Sequence, residues 1–199
     1  MYDIKELTWE YHKNAERQAF VKILMSGEIP EKLYATFLYN QLLCYSALEQ
    51  HAQVNSLFRT TVGLQRAEHI FYDYKALWGD TDNPPQVFDS TKEYVEHIET
   101  IRDDPEKLYA HIYVRHMGDL KGGQMMKKKL PGPCRYHTFR NKEVIEFGRI
   151  IKETINSYIN VYQHSVLPEA IYCFESATKL FQEMNTVDQY VGTDMEGKD

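Results

Sequence analysis

The sequence predicts an all-α, single-domain protein. Helical periodicity runs through most of it, alternating strand patterns are absent, and glycine and proline clusters cut the chain at intervals. The 199 residues, 43% hydrophobic and 13% aromatic, suffice for one domain with a sizeable core. About seven helices fill it. Residues 3–26 read as the first, with an apolar stripe of Ile4, Leu7, Tyr11, Ala15, Phe20 and Leu24, ended by Gly27 and Pro30. Residues 31–57 follow, and the tyrosines of KLYATFLYNQLLCY are expected in the core. Residues 63–78 form a third helix, closed by the GDTDNPP loop. STKEYVEHIETIRDD opens with a capping pattern, Ser90 or Thr91 ahead of Glu93, and reads as a short helix. Pro105 starts another that runs to about Lys129. LPGPC then breaks the chain, and residues 141–164 and 166–185 make the last two helices. Residues 1–186 are thus expected as one helical domain and residues 187–199 as a disordered polar tail, with four acids against one lysine.

Charge and cysteines exclude several classes. A formal net charge of −6 is not that of a nucleic-acid binder. Cys44, Cys134 and Cys173 are odd in number, far apart and without CxxC spacing, which points to reduced thiols in a cytosol. The N-terminus is charged and amphipathic, unlike a signal peptide, and no apolar run approaches the roughly 18 residues of a membrane span. A soluble, cytoplasmic protein is expected.

Chemistry is concentrated at two places. Lys5, His12 and Glu16 are spaced at seven and four residues, which on one helix brings them to one face. Glu16 can accept a ring N–H of His12, fix its tautomer and leave the other nitrogen for a metal. Lys5 suits an anionic group about 10 Å from that metal. Alone, the trio reads more simply as a surface histidine with a helical ion-pair neighbour. The second place is RHMGDLKGGQMMKKK, residues 115–129, with Gly118, Gly122 and Gly123 beside Asp119 inside an expected helix. Each interior glycine costs about 1 kcal/mol relative to alanine. What glycine offers in return is room, so that backbone can approach something flat. Imidazole on one side, bare backbone on the other and a cation at the edge describe a slot for a planar, dianionic metal macrocycle such as haem. His51, His69, His97, His111, His137 and His164 show no paired metal spacing and read as surface or core residues.

YVRHMGDLKGGQMMKK closely resembles the distal-helix signature of the haem oxygenase family, and LTWEYHKNAERQAF resembles its proximal segment. The soluble bacterial, algal or phage type is the nearest in character. The resemblance implies the family's helical fold, with haem between a proximal and a kinked distal helix. It implies oxidative opening of haem, at the alpha meso carbon, to biliverdin, CO and ferrous iron. O2 and electrons from reduced ferredoxin or a similar donor are the implied co-reactants, and a bilin reductase is an implied downstream partner. Carried over by residue, His12 matches the iron ligand and Glu16 its partner. Gly118 and Gly122 match the glycines whose backbone lies over the haem, and Gly123 completes the kink. Asp119 matches an aspartate that organises water. Tyr113 and Arg115 match members of the distal hydrogen-bond and propionate network, Arg115 among the catalytic set. Lys5 matches a basic residue at the haem edge and Phe174 an aromatic wall.

Departures accompany the match. Lys121 stands where the family has a small serine, and His116 where tyrosine is common. The propionate-binding lysine position falls on Gly148; Arg149, one residue away, is its expected substitute, and Lys152 takes the place of an arginine. The run MKKKL is either a dock for an acidic electron donor or a solvated helix end whose lysines complement the dipole. Two other readings compete: a haem-sequestering protein on the same scaffold, which would not need Asp119, and a thiaminase-like enzyme, which would need neither motif.

Overall fold

A threonine hydroxyl divides the first predicted helix. In the computed structural model, which describes residues 2–187, residues 3–26 form three helices: α1 (Ile4–Leu7), α2 (Trp9–Glu16) and α3 (Ala19–Ser26). The Thr8 hydroxyl donates to the Ile4 carbonyl at 2.8 Å, a back-bond that competes with helix propagation, and Thr8 leaves helical geometry at φ −107°, ψ 6°. Gln18 makes the second break in extended conformation at φ −61°, ψ 145°. These corners let α2 carry its own residues outward while α3 buries Phe20 and Leu24. Gly27, left-handed at φ 86°, ends α3 as expected.

α4 (Glu31–Val54) is the central pillar, packed against α5 (Ala67–Trp78), α6 (Asp89–Thr100) and α7 (Pro105–Gly118). α5 starts four residues later than predicted. Gly63 turns at φ 92°, and the Glu49 carboxylate of α4 accepts the backbone N–H groups of Arg66 and Ala67, capping α5 from a distant helix. α6 corrects the predicted capping: Ser90 and Thr91 lie inside its first turn, and their hydroxyls donate to Glu183 and Asn40 instead. The helix predicted to reach Lys129 changes character after Gly118. Asp119–Gly123 is a π-turn, α8 (Gln124–Met126) is one further turn, and residues 127–129 are turn. Lys129 donates to the Met25 carbonyl at the end of α3 at 2.8 Å.

The last two predicted helices are the two arms of α9 (Asn141–Met184), divided at Tyr162, where φ −121° and ψ 36° are non-helical, a few residues before the predicted junction. Pro168 supplies the reason for a break in this stretch, since its ring removes a donor and crowds the preceding turn. Ser165 donates to the Tyr162 carbonyl at 3.1 Å and satisfies it at the kink. Of the predicted tail, Val187 packs against the core cluster that contains Leu180, and residues 188–199 lie outside the described residues.

Two apolar clusters fill the interior. One joins α4, α6, α7 and α9, with Phe147, Ile151, Ile155 and Ile159 repeating every fourth residue along α9. The other joins α3, α4 and α5 to the end of α9 around Phe20, Phe37, Tyr74 and Leu180. Ile155 has 0% exposure at the α7–α9 seam. Ile155→Ala is expected to lower stability by about 2–5 kcal/mol, read as a lower urea midpoint at unchanged slope.

Candidate functional site

α2 presents His12 from a fixed platform. Its ring stacks on Trp9 (centroids 5.5 Å apart, 11° between planes) and meets the edge of Phe174 (5.7 Å, 79°). Nδ1 is buried without a hydrogen-bond partner, with Glu16 Oε2 3.5 Å away, just beyond bonding distance. The side chain is 40% exposed, and Nε2 makes no hydrogen bond to a described residue. One nitrogen is thereby turned inward and the other left free. Lys5 lies on α1, across the Thr8 corner, yet its ammonium sits 5.7 Å from the Trp9 ring, as does that of Lys13. Lys5, Trp9 and His12 form a column that the broken helix preserves.

The second segment is the end of α7. Gly118 is exposed and Gly122 half-buried, and a Cβ added at either would meet nothing within 4 Å. Gly123 faces the other way: its added Cβ would lie 2.5 Å from His137 Nδ1, so here the absent side chain makes space for a core contact. The predicted glycine trio thus divides into two residues open to space and one packed inward. Asp119, 5% exposed, is also turned inward. Tyr45 donates to its Oδ2 at 2.7 Å, and Tyr136 donates to Tyr45 at 3.0 Å. Burial pushes the Asp119 pKa up to about 6, with His116, Tyr45, Tyr136 and Arg66 opposing the rise. Gln124 closes the turn, its amide donating to the Asp119 carbonyl at 3.2 Å and the His137 carbonyl at 2.9 Å.

Tyr113 and Thr8 bring the two segments into one neighbourhood. The Thr8 side chain acts on the Tyr113 phenol, pulling back a pKa that burial raises. That contact lies one turn before His12 and about one and a half turns before Gly118. α2 and the π-turn also both pack on α9. The other predicted residues are spread around these. Arg115 is buried behind α7, donating to Gln41 Oε1 at 2.9 Å with its guanidinium 4.0 Å from the Tyr94 ring centroid and 5.4 Å from that of Tyr45. It therefore acts through Tyr45 and Gln41 and does not border the open side. Lys121 is exposed and reaches across Gly148, where an added Cβ would stand 3.8 Å from its ammonium. Arg149 pairs with Glu153 at 2.6 Å and Lys152 with Asp3 at 3.7 Å, both on exposed surface. His116, the departure from tyrosine, donates or accepts with Glu49 at 2.9 Å in the core.

Trp9, Tyr45, Tyr136 and His137 were not singled out from sequence. Trp9 had a signal, an aromatic three residues before His12 on the same helix face. Tyr45 and Tyr136 had none, because the chain separates them from Asp119 by 74 and 17 positions and only folding joins them.

The residues fit a planar metal macrocycle bearing carboxylates. There is a free imidazole nitrogen on α2, a backbone face with open space where side chains would stand on the π-turn, and exposed ammonium groups nearby in the chain, Lys5 beside Trp9 and Lys121 over Gly148. Such a helical domain defines a binder of haem-like ligands. The Heme oxygenase family model matches residues 2–188, and the chain belongs to that family. It is 33% identical to the heme oxygenase of Guillardia theta, over 91% of this chain and 84% of that one. It is 31% identical to heme oxygenase 2 of Macaca fascicularis over 92% of this chain, spanning 64% of that longer protein. Among solved structures, a heme oxygenase from Leptospira interrogans has a TM-score of 0.79 at 28% identity, covering 90% of this chain and 97% of that one. Heme oxygenase-2 from Synechocystis, solved in complex with heme and NO, has a TM-score of 0.80 at 25% identity, with 92% and 83% covered.

Two outcomes follow from this geometry. Gly118→Ala should fold with stability unchanged or raised by up to about 1 kcal/mol yet weaken haem binding, whereas Gly123→Ala should cost roughly 1–3 kcal/mol through His137; thermal melts and haemin titration of both variants separate the roles. Asp119, with its folded pKa near 6 above the unfolded value near 3.9, binds its proton more tightly when folded. Its contribution to stability is therefore fully present below about pH 4, falls by roughly 2–3 kcal/mol towards pH 6 and is flat above. Asp119→Asn should remove that decline from a series of denaturant titrations against pH.

Proposed function

We propose that the protein opens haem oxidatively at a meso carbon, releasing biliverdin, CO and ferrous iron, with electrons drawn from an external donor. The carrying observation is the pair Gly118 and Gly122, whose bare backbone faces open space while Asp119, the one acid of the turn, is held inward by Tyr45. Family membership and the likeness to a Synechocystis relative solved with heme and NO support the same reading. When bound, haem supplies both the carbon that is attacked and the iron that activates O2.

The chain's own residues supply orientation and protons. His12 Nε2 is the atom to hold iron, its direction set by Trp9 and Phe174, and the Glu16 carboxylate 3.5 Å from Nδ1 would fix the tautomer by closing onto it. Among the described residues Asp119 is the acid nearest the glycine face and it is turned inward, so a haem held there would meet bare backbone and no directly facing proton donor. Asp119, with a pKa near 6, can hold or release a proton around neutrality and deliver it through water, since Tyr45 keeps the carboxylate off the open face. Arg115 positions Tyr45 and Gln41 behind it.

Lys5 and Lys121 are the anchors we assign to the haem carboxylates. Lys121 reaches over Gly148 from the π-turn, and this placement favours it over Arg149 and Lys152, whose guanidinium and ammonium groups already have carboxylate partners. Those exposed pairs are worth only about 0–1 kcal/mol, so both residues can still turn to a haem carboxylate. With such a clamp, alpha is the meso position we assign. Lys127 and Lys128 offer charge to an acidic donor of the ferredoxin kind; Lys129 is engaged with Met25. A bilin reductase is the partner class that would consume the product. Among the described residues no helix is long and apolar enough to cross a membrane, which accords with a cytoplasmic enzyme.

The test is haemin added to the protein, then reductant under air, with the Soret band followed and CO trapped by a globin. Wild type is expected to bleach the band to a biliverdin spectrum; a stable complex that never turns over would make it a haem carrier instead. His12→Ala should lose the native axial ligation seen in the Soret maximum and nearly all turnover. Asp119→Ala should keep haem binding with biliverdin yield down by roughly 100-fold or more, and a wild-type yield from it would overturn the proton role.

A further inference from the structure

Two histidines with no metal-like spacing in the chain meet at one carboxylate. His97 on α6 and His111 on α7 point their Nε2 atoms at the same oxygen of Glu169 on α9, at 2.7 and 3.0 Å. The three ligand atoms lie within 4.8 Å of one another. We propose that His97, His111 and Glu169 form a binding site for a divalent transition-metal ion of the zinc class, separate from the His12 site and independent of haem.

The surroundings are those of a built site. Metal-binding imidazoles need the rear nitrogen fixed, and His111 Nδ1 is held by the Tyr94 hydroxyl at 3.0 Å, with both residues at 0% exposure. Ligation at Nε2 moves the His111 proton to Nδ1, where the Tyr94 hydroxyl, able to donate or accept, serves either tautomer. The His97 ring lies against Tyr172, centroids 4.0 Å apart, which sets its direction. Glu169 uses one oxygen for both imidazoles, and the other makes no hydrogen bond to a described residue. Donors on a zinc ion at 2.0–2.1 Å in tetrahedral geometry are roughly 3.3 Å apart, so the two nitrogen–oxygen spacings of 2.7 and 3.0 Å open slightly while the set, now within 4.8 Å, draws in toward the same value. Two neutral nitrogens and a carboxylate are the donors this class of ion takes, and three ligands leave a fourth position for water.

Access and charge are compatible with an ion. The His97 side chain is 25% exposed and Glu169 12%, against 0% for His111, so the ion reaches the cluster from the α6–α9 surface. The positive groups that act on the cluster are Lys107 and Arg115. Lys107 is paired with Asp104 at 3.1 Å, and Arg115 is turned to Gln41 and the Tyr94 ring. A bound ion would tie α6, the first half of α7 and the second arm of α9 together.

The experiment is titration of the full chain, free of haem, with zinc by calorimetry and with cobalt(II) by visible absorption. One ion per chain is expected, with the intense cobalt bands of four-coordinate N/O ligation, and with a rise in Tm on adding zinc. Glu169→Gln and His97→Gln should each weaken zinc at least about 10-fold and abolish the Tm rise, while His12→Ala keeps both. Glu169→Gln preserves shape, His97→Gln alters a partly exposed ring, and circular dichroism identifies whichever variant is folded. Unchanged zinc affinity in the folded variant, or loss of zinc in His12→Ala instead, would overturn the proposal.

Discussion

One helical turn, Gly118–Gly123, has to be bare on one side and fully packed on the other. Gly118 and Gly122 face open space, while Asp119, Leu120 and Gly123 face the core. A regular α-helix built from ordinary residues would not separate those sides so completely, because every residue but glycine carries a Cβ. The π-turn widens the helix at this point, and wide turns of this kind concentrate at functional sites. The glycines that make it possible also weaken it, by about 1 kcal/mol each. What offsets that loss comes from outside the turn. Gln124 bonds the Asp119 and His137 carbonyls, His137 fills the space left by Gly123, and Tyr45 holds the Asp119 carboxylate.

The same arrangement explains why Asp119 is buried when a surface acid would cost less. Desolvation raises its pKa into the range where a carboxyl exchanges protons near neutrality, and Tyr45 and Tyr136 limit the rise. Arg115 lies close by but stacks on Tyr94 and donates to Gln41, with no carboxylate in ion-pair distance. A direct Arg115–Asp119 pair would hold Asp119 ionised and remove the proton-donor role proposed for it. Tyr45 is the side chain that meets both, its ring 5.4 Å from the Arg115 guanidinium and its hydroxyl on Asp119.

Much of this was legible in the chain because its signals are local. Glycines beside an acid within one helix, and a histidine with glutamate one turn on, need no tertiary knowledge to read. The all-α class followed from periodicity, and Gly27 and Pro105 marked real boundaries. The misreadings share one physical cause, which is that side-chain partners, on the preceding turn or far along the chain, override local preference. Thr8 broke a continuous stripe by bonding its own backbone; Glu49 capped α5 from α4; Ser90 and Thr91 spent their hydroxyls on Glu183 and Asn40. The tyrosines of α4 were read as core, and Tyr45 is core, but core with a hydroxyl aimed at the reactive turn.

α7 is anchored unevenly, and the unevenness suits its task. Its first half is locked by His111 to Glu169 and Tyr94, by the Ile112 side of the α9 seam and by Tyr113 at Thr8. Beyond Gly118 the π-turn is held on its inner side by the Tyr45, Gln124 and His137 contacts, while a Cβ at Gly118 or Gly122 would meet nothing within 4 Å. In the proposed reading a flat ligand meets this π-turn, while Arg115 and His116 at the end of α7 stay bonded to Gln41 and Glu49. The kink at Tyr162 extends the same logic to α9, since its first arm carries Gly148 under Lys121 and its second carries Phe174 against His12. Flexing at that kink would change the spacing between the two arms without disturbing either, a motion that suits the proposed entry of a flat ligand and release of an opened one.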